Sequence, residues 1–160
     1  MKWYELKQNK EKKKGNNSMK PMLPSLTFDL PVRPDWQYEV KFDGFRAMLT
    51  WNSKGIDFIS RNGKDLLPQF PEIKDFLLRY ELLFKPYLPL QIDGELVYLE
   101  NTHKANFSAI QVRGRLKSEK KISEQATRSP CRLMAFDLLM LNGKKFSTEP
   151  FFKRKEALKE

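Results

Sequence analysis

In Glu39-Val40-Lys41-Phe42-Asp43-Gly44-Phe45-Arg46 the side chains alternate between polar and apolar up to a glycine. With Tyr38 in front, Tyr38, Val40 and Phe42 point one way and Glu39, Lys41 and Asp43 the other, which is the period of a strand. Gly44 permits a bend, and residues 45–51 alternate again as a second strand. Asn52-Ser53-Lys54-Gly55 turns the chain into a third strand over residues 56–60, closing a hairpin. Asn62-Gly63 is a further turn signal. Residues 70–84 place Phe70, Ile73, Leu77, Leu78 and Leu82 at helical spacing, with Pro71 tolerated in a first turn. Residues 90–99 read as a strand and 107–116 as a short helix. Residues 131–141 form a nearly continuous apolar run, as in a buried strand, turned by Asn142-Gly143. A helix starts in residues 150–160. This order predicts an α+β domain around an antiparallel sheet.

Upstream of residue 36 the character changes. Residues 1–20 hold seven Lys and two Glu and read as a basic, disordered leader, with Met19 an alternative start. Pro21, Pro24, Pro31 and Pro34 predict an extended approach segment. The net charge of +10 resides in two segments, since residues 113–132 also hold seven Lys or Arg against two Glu. A basic surface of this kind attracts polyanions, although a solvated loop accounts for the same composition. One cysteine, Cys131, excludes an internal disulfide and a Cys-based zinc site. The single histidine, His103, reads as a surface loop residue. No apolar run approaches a membrane span, and the N-terminus lacks a secretory pattern, so a cytoplasmic location is expected.

The polar face of residues 39–43 sets a lysine between two carboxylates. By default such a lysine is a poor nucleophile. Its ordinary pKa of about 10.4 leaves only about one molecule in a thousand neutral at neutral pH, and adjacent acids worsen this. The arrangement makes chemical sense if further positive charge arrives, such as a metal ion or other lysines.

The eight residues 39–46 resemble the E-x-K-x-D-G-x-R signature of the covalent nucleotidyltransferases, which include ATP-dependent DNA ligases, RNA ligases and mRNA capping enzymes. Ser60-Arg61-Asn62-Gly63, Asp93-Gly94-Glu95-Leu96 and Ala135-Phe136-Asp137-Leu138-Leu139 follow in the order found in the ligases. Residues 107–113 resemble the short helix before the last of these, and Lys153-Arg154-Lys155 the basic start of the next helix. The text is most similar to ligases of bacterial end-joining systems. Residues 21–160 then correspond to the N-terminal part of a ligase adenylation domain, an antiparallel-sheet-based nucleotidyltransferase fold of ATP-grasp-like character.

The resemblance implies a role for each residue. Lys41 would attack the α-phosphate of ATP and carry AMP. Glu39 would accept from the adenine amino group. Arg46 would bond the ribose or DNA, and Arg61 the ribose and phosphate, with a surface ion pair the alternative for each. Glu95 would bind the ribose or Mg²⁺. Phe136 would stack on adenine, or else serve as a core aromatic sharing a strand face with Met134, Leu138 and Met140. Asp93 would shape a turn at Gly94. Asp43 and Gly44 would set the loop after the nucleophile. The partners the resemblance implies are nicked or broken double-stranded DNA, in repair or recombination, and end-joining repair proteins. The family's later lysine pair, its metal-binding Glu-Gly segment and its OB-fold domain have no counterpart in these residues. A second polypeptide could supply them, and without them an incomplete domain of low stability and weak ligation is expected. A remnant that only binds DNA or a partner through residues 113–132 is the alternative function.

Overall fold

The structure is a computed structural model and describes residues 37–159. The basic leader and the proline-rich approach lie outside the described residues. The elements run β1 (Phe45–Asn52), β2 (Gly55–Ser60), α1 (Pro71–Arg79), α2 (Glu81–Phe84), a 3₁₀ turn (Lys85–Tyr87), β3 (Leu90–Val97), β4 (Leu99–Asn101), β5 (Lys104–Ala105), α3 (Phe107–Gly114), α4 (Glu119–Arg128), β6 (Arg132–Leu141), β7 (Lys144–Lys145) and α5 (Phe151–Lys159). Among the described residues, five strands form one antiparallel sheet in the order β2-β1-β3-β6-β7, with β4 and β5 as a separate ribbon. This is the expected α+β architecture.

The sheet has two chemically different faces. In register, Ala47, Leu49 and Trp51 of β1 stand beside Gly94, Ile92 and Leu90 of β3, and Leu49 also beside Phe58 of β2. This face is dry. It packs on Phe70, on Ile73 and Leu77 of α1, and on Ile110 of α3. The edge of Phe45 meets the rings of Phe70 and Phe107, each at 6.3 Å. The opposite face carries Arg46, Met48 and Thr50 beside Glu95, Asp93 and Gln91. The candidate site is built on this second face.

The helices covering the dry face are joined by one buried ion pair. Arg113 of α3 is 5% exposed and donates to Glu72 of α1 at 2.9 Å and to the Ile122 carbonyl of α4, also at 2.9 Å. The other Glu72 oxygen accepts from the Cys131 N–H at 3.0 Å. Three helices and the start of β6 therefore meet at one guanidinium–carboxylate contact. Arg113 is thus part of the interior, not of a basic surface. The rest of the basic stretch contains α4, which was not expected. Its Ser118 N-cap and Glu119 in the first turn are ordinary start signals, masked in the sequence by a single buried apolar residue, Ile122.

Other expectations need correction. Residues 38–42 form no strand, despite their alternation. Phe45 already pairs with Leu96 near the end of β3, and β2 ends opposite Ala47, so earlier residues lack a neighbouring strand to bond. The helix expected over 70–84 breaks at Tyr80, and only Phe70, Ile73 and Leu77 of its apolar series are buried. Leu78 and Leu82 are exposed. Asp93 and Gly94 do not form a turn but lie within β3. A Cβ on Gly94 would come to 2.6 Å from Leu133 Cδ1 and 2.8 Å from the Met134 carbonyl oxygen, so the glycine serves close approach of β6. The expected turns at 52–55, 62–63 and 142–143 are present, and Gly55, Gly63, Asn142 and Gly143 all have positive φ. His103 sits exposed in the turn between β4 and β5.

Two measurements check this packing. Gly94→Val is expected to lower unfolding free energy by about 1–3 kcal/mol through overpacking, read as a shift of the urea midpoint. Arg113→Met strands the Glu72 carboxylate in the interior and is expected to cost about 3–5 kcal/mol in the same titration.

Candidate active site

The site grows from the second face of the sheet and the segment leading into β1. Arg46 clamps Asp93 with two parallel hydrogen bonds, Nε to Oδ1 at 2.6 Å and Nη2 to Oδ2 at 2.7 Å. Its guanidinium also lies 4.3 Å above the Phe136 ring. Bidentate pairing and stacking on an aromatic face are what a planar guanidinium does best. Arg46 therefore meets Asp93 and Phe136 at once, and Asp93 holds the guanidinium over the ring.

Phe136 reaches this position because β6 is irregular. Gly94 pairs with Ala135 and Asp93 with Asp137, so Phe136 is an extra residue in the ladder, and a second shift leaves out Leu139. Such a bulge re-aims side chains near sites. It also changes the strand's phase. Leu138 stands opposite Ile92 on the dry face and is 1% exposed, so it does not share a face with Phe136 as simple alternation suggests. Met134 and Met140 stand beside Glu95 and Gln91 on the site face.

Helix α5 closes the side of this arrangement. Arg154 grips Asp137 through Nε at 2.7 Å and Nη2 at 3.0 Å, and its Nη1 donates to the Glu149 carbonyl at 2.6 Å. Lys155 donates to the Phe136 carbonyl at 2.9 Å and forms an ion pair with Glu39. Asp137, Arg154 and Lys155 were not singled out as site residues by sequence reasoning. The basic run 153–155 was visible, but nothing in linear sequence pairs it with residues so far upstream.

Lys41 projects into solvent, its side chain 83% exposed, and is ion-paired with Asp43. The Asp43 hydrogen bond, with the charges of Asp43 and Glu95, raises its pKa above the ordinary lysine value despite slight desolvation. The amine is thus protonated at rest. Glu95 accepts from the Gly44 N–H at 3.1 Å, fixing the chain just after the lysine. Burial pushes the Glu95 carboxyl above its usual range, against the lowering effect of that hydrogen bond and of Arg46 and Lys41. A Cβ on Gly44 would collide with the Leu96 carbonyl oxygen, so this bend requires glycine. Arg61 is exposed after β2, and its N–H donates to the Arg46 carbonyl at 3.2 Å.

The structure therefore brings Glu39, Lys41, Arg46, Glu95 and Phe136 to one face and one end of the sheet, with Arg61 joined through the backbone. Among the described residues no cluster of three metal-ligating side chains exists. Mg²⁺ commonly takes one or two carboxylates and completes its shell with phosphate and water. Glu95, a hard oxygen donor within the field of Asp43, fits that limited protein share. No helix among the described residues is long and apolar enough to cross a membrane.

Comparisons of sequence and fold with known proteins point to one family. Residues 21–160 match the family model of the ATP dependent DNA ligase domain. The chain is 43% identical over 139 residues to the bifunctional non-homologous end joining protein LigD of Bacillus subtilis, covering 87% of this chain and 23% of that protein. It is 34% identical over 146 residues to DNA ligase C1 of Mycolicibacterium smegmatis, covering 89% of this chain and 40% of that one. Among solved structures, a mycobacterial DNA ligase D complexed with ATP and MES aligns with a TM-score of 0.58 at 26% identity, over 76% of this chain and 35% of that chain. The ligase domain of M. tuberculosis LigD shares the fold, with a TM-score of 0.50 at 24% identity over 76% of this chain and 35% of that one. The chain thus spans well under half the length of these relatives. The ordered motifs, the sheet that gathers them and the family match over residues 21–160 together show that this chain belongs to the ATP-dependent DNA ligase domain family.

Proposed function

We propose that this chain supplies the nucleotide-charging face of an ATP-dependent DNA ligase acting on nicked or broken double-stranded DNA. The observation that carries the reading is the convergence of Lys41, Arg46, Glu95 and Phe136 at one end of the sheet, in the motif order of the family. The neutral Lys41 amine attacks the α-phosphorus of ATP. A nitrogen–phosphorus bond forms, the bond to the bridging oxygen breaks, and pyrophosphate leaves. AMP then passes from Lys41 to the 5′-phosphate at the break, and a 3′-hydroxyl displaces it to seal the strand.

The other residues bind and orient. Glu39 accepts from the adenine amino group, Phe136 stacks on the base, and Arg46 and Arg61 present donors to sugar and phosphate. Glu95 would hold Mg²⁺ through its carboxylate, and the ion would supply charge neutralisation at the phosphates when bound. Asp43 holds the Lys41 ammonium until deprotonation and keeps it from wandering. The similarity to LigD and DNA ligase C1 supports an end-joining setting, and a cytoplasmic location belongs to the same proposal. Supply of the remaining positive charge by further ligase segments, on this or a separate polypeptide, completes the reading.

Incubation with α-labelled ATP and Mg²⁺ is expected to give an acid-labile adduct on this chain that disappears in Lys41→Ala. If label persists in Lys41→Ala, or none forms even with the remaining ligase segments added, the proposed role of Lys41 is wrong. The raised Lys41 pKa also sets a pH dependence with a definite sign. Below that pKa the neutral fraction grows about tenfold per pH unit, so initial labelling rate should climb steadily from pH 6.5 to 8.5. A flat profile there would mean that something other than Lys41 deprotonation limits the reaction.

A further inference from the structure

Among the described residues, Lys155 links both groups assigned above to the adenine base. Its ammonium donates to the carbonyl of Phe136 and pairs with Oε1 of Glu39. It is also largely sheltered, with a side chain 14% exposed, whereas Glu39 is 40% exposed. Glu39 itself sits on a segment without strand pairing, so its carboxylate needs an external partner to hold a direction. Lys155 is held in turn by its neighbour Arg154, whose grip on Asp137 fixes α5 against β6 at the bulge.

We propose that Lys155 is a positioning residue that sets the purine selectivity of the nucleotide site by fixing the Glu39 carboxylate. The inference rests on the base-binding roles of Glu39 and Phe136 given above. The chemistry is one of donors and acceptors. An ionised carboxylate only accepts hydrogen bonds. Held opposite position 6 of a purine, it accepts from the amino group of adenine and repels the carbonyl oxygen of guanine. A carboxylate free to swing loses that discrimination, because it can instead accept from the N1–H and 2-amino group of guanine. Selectivity therefore depends on where the carboxylate is pinned as well as on its presence. With Oε1 engaged by the ammonium, and the ammonium engaged by the Phe136 backbone, the acceptor is fixed relative to the stacking ring.

The test compares the 160-residue chain with Lys155→Gln and Lys155→Arg. Without nucleotide, amide hydrogen exchange in residues 39–44 should quicken in Lys155→Gln and stay close to wild type in Lys155→Arg. In equilibrium dialysis with labelled ATP and GTP, Lys155→Gln should bind ATP about tenfold more weakly, in line with loss of a charge-assisted contact. Its preference for ATP over GTP should shrink by about the same factor, while Lys155→Arg retains it. In the Lys41 labelling reaction the loss should appear in KM, with the rate at saturating ATP within about threefold of wild type. Unchanged exchange and unchanged ATP preference in Lys155→Gln overturn the proposal. So does a uniform rise in exchange along the whole chain, which marks a purely structural lysine. Labelling of Lys41 with the same ATP preference in wild type, Lys155→Gln and Lys155→Arg leaves the ligase reading intact and removes only this inference. A chain that binds neither nucleotide even with the remaining ligase segments added removes both.

Discussion

Two aspartates face each other across neighbouring strands, and the site depends on how their charge is neutralised. Asp93 and Asp137 are cross-strand partners, 3% and 9% exposed, and like charges in that relation repel. Each is met by its own arginine in a two-pronged contact, Arg46 from β1 and Arg154 from α5. The arrangement explains why α5 docks where it does and why Arg46 lies over Phe136. Take away either arginine and a buried carboxylate is left beside another one. The same two contacts hold the functional side chains in place, so the electrostatics of folding and of the site are a single problem here.

Much of the fold was legible in the sequence. Strand period, Asn-Gly turns and the apolar run over 131–141 located β1, β2, β3 and β6 to within a residue or two. What escaped was everything that depends on a partner. Residues 38–42 have the alternation of a strand and no strand beside them. Tyr80 breaks a helix whose apolar series extends past it, leaving Leu82 in solvent. The bulge at Phe136 cannot be seen in a nearly continuous apolar run, because apolar residues occupy both faces of that strand and Asp137 alone does not reveal the change of phase. Helix α4 was hidden by its charge, since one buried isoleucine gives no periodic signal.

The site shows the same division. The eight residues 39–46 disclosed the lysine and its flanking acids, and the later motifs disclosed Glu95 and Phe136. Sequence did not disclose that Asp93 belongs to Arg46, that Asp137 belongs to Arg154, or that Arg113 lies inside the molecule. Motifs name the groups that meet ligand, whereas the groups that hold them are fixed by contacts between distant segments. Lys41, exposed and protonated beside Asp43, shows the chemical side of this. On the proposed reading it is an unactivated nucleophile, and the charge needed to change that comes with the nucleotide and its surroundings.

Helix α5 buries no residue and is fastened to β6 mainly by ionic contacts, while the other side of the sheet is sealed by Phe58, Phe70 and Ile110. The two sides must therefore answer to different solvents. Urea acts on the aromatic and aliphatic layer, which carries cooperative stability. Dissolved salt, by screening the more exposed Glu39 end of the Lys155 pair, acts on the outer part of the helix seam, while the sheltered Arg154–Asp137 contact is screened far less. The molecule thus carries an ion-sensitive link from α5 to the segment around Glu39 on a hard, oil-like slab, and that link can loosen long before the slab melts.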